Sequence, residues 1–243
     1  MGRGPSIAGR KSATDAQRGK LFTKLIREVT MAVRLGGPDP QANHRLRLAM
    51  DKALDANMPK DTLERAIRRG AGGDGADATQ EIRYEGYAPG GVAVMVDCMS
   101  DNPTRTVAEV RHAFSKNGGS LGTSGSVAYL FSECGQLLIE TGADAAREER
   151  ILELALEAGA DDVISAHGYT EVLTTPAQFG AVKAALAASG QVFVEAGVVM
   201  RPANTVLVTG EDAEAVSSLI TRLEELDDVQ DVYTNAEWPV EAT

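Results

Sequence analysis

The chain of 243 residues carries 24 Lys/Arg against 35 Asp/Glu, a net charge of −11, and is long enough for two or three domains that each bury a core. Its longest apolar run near the middle, Val92 to Val96, falls far short of the ~20 residues a membrane helix needs. The first twenty residues, MGRGPSIAGRKSATDAQRGK, are basic but lack the apolar stretch of a secretory signal; organelle targeting is the weaker alternative for this stretch, and no membrane partner is expected.

The chain opens on a basic segment. Residues 1–70 hold 15 Lys/Arg and 7 Asp/Glu, a balance of +8, while the remaining 173 hold 9 and 28, a balance of −19. Such asymmetry points to a polyanion contacted by one part of the molecule only. Three helices fit here. The first, Asp15 to Leu35, stops at Gly36-Gly37-Pro38, a helix-ending signal. Asp39-Pro40 supplies a cap and a first-turn proline for a second helix reaching about Asn57. Pro59 opens the third, which ends at Gly70. At 100° per residue, Lys20, Lys24, Arg27 and Arg34 share one side of the first helix, opposite Phe22, Leu25, Ile26, Val29 and Val33. On the third, Arg65, Arg68 and Arg69 lie away from Leu63 and Ile67. The apolar sides are expected to pack a bundle, leaving outward cations that reach phosphate oxygens. Arg18 belongs to the same basic set, and Arg10 and Lys11 extend it as an arm. The competing reading is an ordinary solvated face.

The stretch GAGGDGADAT, residues 70–79, has linker composition. Next, IRYEGY (82–87) and VAVMVDCM (92–99) read as strands joined by a turn at Pro89-Gly90-Gly91. Gly86 and Gly91 match the glycine spacing of a phosphate-binding loop, but Val92 and Ala93 stand where its Lys and Ser/Thr belong, and a turn is the expected reading. Beyond it, strand 91–99, helix 103–116 and strand 126–131 spell β-α-β. The run from 135 to 200 spells a complete β-α-β-β-α-β unit: GQLLIE, helix 144–158, DVISA, YTEVLTT, helix 176–188 and VFVEAGVVM. A closing β-α-β follows from TVLVT (205–209), helix 211–224 and VQDVYT (229–234). The outer pieces lack the apolar surface to stand alone and are expected to join. The fold class expected is therefore α+β: a three-helix domain over 1–79, a discontinuous domain over 80–134 plus 203–243, and an inserted one over 135–202, the last two ferredoxin-like and interleaved.

Catalytic signals are sparse. Cys98 and Cys134 form no C-x-x-C pair, His44, His112 and His167 are scattered, and Glu85, Asp97 and Asp101 show no acid-base spacing. No metal or cofactor is implied. Ferredoxin-like sheets also host small-molecule sensing and catalysis, which stands as the alternative from a different class.

The blocks DAQRGKLFTKLIREV (15–29), NHRLRLAMDKALDANMPKDTLERAIRRGAGG (43–73), YEGYAPGGVAVMVDCMSDNPTRTVAEVRHAFSKNGGSLGTSGSVAYLF (84–131) and DDVQDVY (227–233) resemble the YebC/PmpR family, which includes a mitochondrial translational-activator branch. The N-terminus departs from that pattern: where members carry Gly-His-Ser-Lys-Trp and then Ile-Lys-His-Arg-Lys, RGPSIAGRK keeps only Ile7, Arg10 and Lys11. The resemblance implies a cytoplasmic, non-enzymatic protein of three domains. Its roles are a transcriptional regulator that binds promoter DNA or a translation factor on ribosomes stalled at proline-rich stretches. Both need a cationic surface, and DNA and ribosomal RNA both remain expected partners. Within SDNPTRTVAEVRHAF, residues Asp101, Asn102, Arg105 and Thr106 sit at a helix start, where amides and the dipole attract an anion or partner; capping of that helix by Asp101 or Asn102 is an equal reading.

Overall fold

A computed structural model describes residues 15–72 and 79–239, with side chains from residue 19 onward. The chain divides into two compact units, residues 1–131 with 202–243, and residues 132–201. Arg10, Lys11, the centre of the linker and the Arg18 side chain lie outside what is described.

Three helices open the first unit: α1 (Asp15–Gly36), α2 (His44–Asp55) and α3 (Lys60–Gly70). Their apolar stripes meet as expected, with Leu25, Val29, Ala32 and Val33 of α1 packed on Leu46, Ala49 and Ala53 of α2 and Leu63 and Ala66 of α3. Helices α1 and α3 approach closely at Gly70, where a Cβ would lie 2.6 Å from the Thr30 carbonyl oxygen. One boundary differs from expectation. Asn43, not Asp39, caps α2: its Oδ1 accepts from the Leu46 amide at 3.0 Å, while its Nδ2 donates to Ala32 O and Gly37 O at the end of α1. A single buried amide thus satisfies orphan groups at two helix ends.

Four strands, β1 (Gln80–Ala88), β2 (Val92–Ser100), β3 (Ser120–Leu121) and β9 (Val229–Thr234), build the sheet of this unit in the order β3-β1-β2-β9. β1 and β2 form a regular antiparallel hairpin from Gln80↔Ser100 to Ala88↔Val92. The expected turn closes it, with Gly90 and Gly91 at φ 72° and 76°, a conformation that favours glycine. Side chains alternate across this sheet. One face, through Val92, Val94, Val96 and Cys98, buries against α4 (Pro103–Lys116) and α7 (Gly210–Glu224), which contribute Val110, Phe114, Val216, Leu219 and Leu223. Gly86 allows the edge to close, since a Cβ there would meet Ser120 O at 2.5 Å and Phe114 at 2.7 Å.

The α+β architecture holds, but the strands that build this sheet differ from the expected set. Of residues 126–131, only Phe131 is in a strand, the first residue of the one that runs on to Glu140. Ala128–Leu130 is a 3₁₀ turn, because the buried Glu85 carboxylate takes the amides of Gly125, Val127 and Ala128, each at 2.7 Å, away from a strand ladder. Likewise 205–209 contributes only β8 (Val206–Leu207), which pairs in parallel with β10 (Ala236–Glu237) outside the main sheet.

The second unit carries β4 (Phe131–Glu140), α5 (Ala145–Glu157), β5 (Asp162–Ala166), β6 (Tyr169–Thr174), α6 (Phe179–Ala188) and β7 (Glu195–Pro202), in sheet order β5-β6-β4-β7. That is the expected β-α-β-β-α-β succession. Asp144 caps α5 by accepting from the Ala146 and Arg147 amides.

Replacing Gly86 with alanine is expected to destabilise the first unit by about 1–3 kcal/mol, the usual cost of overpacking, because the new Cβ would press on backbone and on a fully buried ring. Urea unfolding of the variant beside a control at Gly180, where a Cβ has open space, checks this.

Candidate nucleic-acid interface

The expected interface begins with the cations of α1. Lys20 Nζ donates to Glu225 O at 3.0 Å and lies 3.7 Å from the Asp227 carboxylate. Lys24 Nζ donates to Glu224 O at 3.3 Å, and Arg27 Nη1 to Asp227 O at 2.6 Å. These acceptors are the last carbonyls of α7 and the turn after it, the end at which a helix lacks internal donors and its dipole is negative. The basic side of α1 therefore faces an acidic helix end of the same chain. Burial pushes the Lys24 ammonium below its ordinary value, against the opposing pull of Asp231 and Glu224.

Beneath this contact lies Asp228, 3% exposed. Its Oδ2 accepts from Arg105 Nη2 at 2.7 Å and Ser100 Oγ at 3.1 Å, with Thr106 Oγ1 at 2.7 Å. Its Oδ1 is 3.5 Å from Arg27 Nη1, and its carbonyl accepts from the Met99 amide. Burial alone would raise this carboxyl, but the hydrogen bonds from Arg105, Thr106 and Ser100 outweigh it and hold the group below the ordinary aspartate value. The helix start at 101–106 thus already attracts an anion, and that anion is internal. Asn102 caps α4 by accepting from the Arg105 amide at 3.1 Å, and Asp101 pairs with Arg105 at 3.0 Å.

Arg34, also on α1, donates to Thr79 O at 2.6 Å. Arg45 of α2, absent from the expected set, joins Glu28 of α1 to Glu81 of β1. Helix α3 presents a different picture. Arg65, Arg68 and Arg69 are exposed together, opposite Leu63, Ala66 and Ile67, and Arg65 pairs within its own helix, with Asp61 at 3.3 Å. Such surface pairs contribute little and yield readily to a stronger anion. Of the ten cations singled out from the sequence, α1 thus engages Lys20, Lys24, Arg27 and Arg34 with backbone or carboxylate oxygens, and α3 displays its three. Asp228 and Ser100 escaped sequence reasoning; the one available signal was an acidic run, Glu224 to Asp231, opposite in sign to the opening helix.

Among the described residues no group of three or more His, Cys, Asp or Glu is placed to hold a metal, and no helix is long and apolar enough to cross a membrane. Cys98 is buried, and its thiol is pushed up to about 12, chiefly by desolvation.

Two family models cover nearly the whole described chain: TACO1/YebC protein N-terminal domain over residues 4–73, and TACO1/YebC second and third domain over residues 79–236. The chain belongs to the TACO1/YebC family. Relatives in this family include a probable transcriptional regulatory protein of Cupriavidus pinatubonensis, 56% identical over 95% of both chains. One of the same description from Stenotrophomonas maltophilia is 56% identical over 100% of this chain and 99% of the relative. A crystal structure of a conserved hypothetical protein from Aquifex aeolicus is 47% identical, with a TM-score of 0.83 over 96% of this chain and 95% of that one. The TACO1/YebC fold is thus shared along essentially the full length.

Replacing Asp228 with asparagine is expected to cost about 2–3 kcal/mol, below the usual penalty for splitting a buried ion pair because Arg27 and Arg105 are partly solvated. The depressed carboxyls of Asp228 and Glu85 bind fewer protons folded than unfolded. Their stabilisation is therefore full above the ordinary carboxylate value of about 4 and drains away as pH falls through their lower folded values. Urea midpoints measured from neutrality down through that window should fall for the wild type and fall less for Asp228→Asn.

Proposed function

We propose that this protein is a non-enzymatic regulator of gene expression that binds nucleic acid, DNA foremost, through the outward face of α3. The observation that carries the reading is the exposed trio Arg65, Arg68 and Arg69, projecting from a segment whose first 70 residues hold eight more cationic than anionic side chains. Arginine suits this task because its planar fork donates two parallel hydrogen bonds to phosphate and keeps its charge at any physiological pH. The description carried by the relatives, probable transcriptional regulatory protein, supports transcription as the setting, and no observation favours the ribosome over DNA. Arg10, Lys11 and Arg18 are proposed to add to the same footprint. Lys20, Lys24 and Arg27, already on α7 carbonyls, are assigned to holding the molecule together.

Replacing Arg65, Arg68 and Arg69 together by alanine should leave folding intact and weaken duplex DNA binding. The slope of log affinity against log salt should flatten by up to about 0.9 for each phosphate that the variant no longer neutralises. Lys24→Ala with Arg27→Ala should do the reverse, lowering the unfolding midpoint with a smaller effect on that slope. Unaltered DNA binding by the α3 variant would overturn the assignment.

A further inference from the structure

The most exposed aromatic side chain among the described residues stands outside that basic surface. Tyr129 is 74% exposed, although its neighbours Val127 and Phe131 are 0% and 8% exposed. The 3₁₀ turn that carries it is therefore pinned on both sides, and the ring is displayed on a fixed backbone. Tyr87, 36% exposed, stands beside it. Its hydroxyl donates to Ser126 O at 2.9 Å, and its phenol is pushed up by desolvation and by the adjacent Tyr129.

The support under these rings is unusually elaborate for a surface loop. Glu85, 4% exposed, commits both carboxylate oxygens to three amides of the 122–128 segment, and its own carbonyl accepts from Gly122 N at 2.8 Å. What this scaffold presents is Gly122, Thr123, Ser124 and Gly125, all exposed, between the two tyrosines. No charged side chain occurs from Asn117 to Ser132. Arg83, the one cation of β1 and on the same strand face as Tyr87, is held bidentate by Asp97 at 2.6 and 2.8 Å. Among the described residues, neither this segment nor β1 brings an unpaired cation to offer a phosphate, yet the tyrosines offer rigid ring area at low entropic cost. A flat, uncharged heterocycle meets these terms, and stacking on tyrosine requires that its face be open.

We propose that Tyr129, backed by Tyr87, is a stacking platform for an unpaired nucleobase, so that the protein engages single-stranded nucleic acid as well as duplex. This rests on the nucleic-acid reading above and adds a second, chemically different contact to it. Base-paired DNA keeps its base faces covered and would not use the platform.

The test compares wild type, Tyr129→Ala, Tyr129→Phe and the α3 triple-arginine variant on fluorescein-labelled oligothymidylate, oligouridylate, an abasic strand of equal length and a duplex. Tyr129→Ala should weaken binding to the base-bearing strands by about 5- to 100-fold, Tyr129→Phe should bind as wild type, and abasic strand and duplex should be held equally by all three, which also reports that the variants are folded. Loss on oligothymidylate alone or oligouridylate alone identifies DNA or RNA as the source of the base. Equal binding of both base-bearing strands by Tyr129→Ala and wild type, or an equal loss on the abasic strand, would overturn the platform. Weakened binding by the arginine variant with none by Tyr129→Ala sinks this inference alone. The opposite pattern sinks the α3 assignment and leaves the platform standing.

Discussion

The first unit depends on one buried negative charge. Asp228 sits between the end of α7 and β9, and its oxygens gather donors from β2, α4 and α1. Taking a carboxylate out of water costs several kcal/mol unless its lone pairs are filled, and here filling them requires all of those elements to be in register at once. The group therefore favours one register of these elements: Ser100, Arg105 and Thr106 fill one oxygen from β2 and α4, and another placement of α1 would remove Arg27 from the other. Glu85 plays the same part at the opposite strand, β1, where three amides fill it.

This changes how the charge asymmetry is understood. A basic N-terminal segment beside an acidic remainder suggests an outer surface prepared for a foreign polyanion, yet a share of that basic charge is matched to the chain's own acidic helix end. Lys20, Lys24 and Arg27 meet carbonyls and carboxylates between Glu224 and Asp228. The arginine face of α3 stays exposed, with Arg47, Lys52 and Lys60 exposed in the same segment. Long-range attraction of a polyanion follows the summed field and short-range contact follows whichever donors remain open, so the two need not come from the same residues.

Much of this was legible in the residues alone. Helical periodicity identified the packing sides of α1 and α3, because a 3.6-residue stripe is a local property that packing then uses unchanged. The succession of elements in the second unit was legible for the same reason. The misses share a cause of their own. Asp39-Pro40 has the local form of a helix start, but Asn43 wins since it also answers the carbonyl of Ala32 in α1 and that of Gly37 just beyond it. Residues 126–131 alternate like a strand, but Glu85, some 40 residues away, claims their amides. Nor could spacing pair α1 with a turn 200 residues later. Polar groups whose partners are remote leave no periodic trace, so the sequence showed which faces were charged without showing which were already taken.

Inserting the second unit between Phe131 and Pro202 has a consequence for how the chain assembles during synthesis. β2 emerges early, but the residues that complete its free edge and its network come 128 positions after Ser100. At ordinary elongation rates that gap lasts roughly 6–25 s, long compared with the microseconds to seconds in which small domains fold. The intervening unit, a contiguous stretch, acquires its sheet while the older one is still unfinished. For that interval an apolar strand waits with one side unpaired, the condition in which nascent chains most need a chaperone.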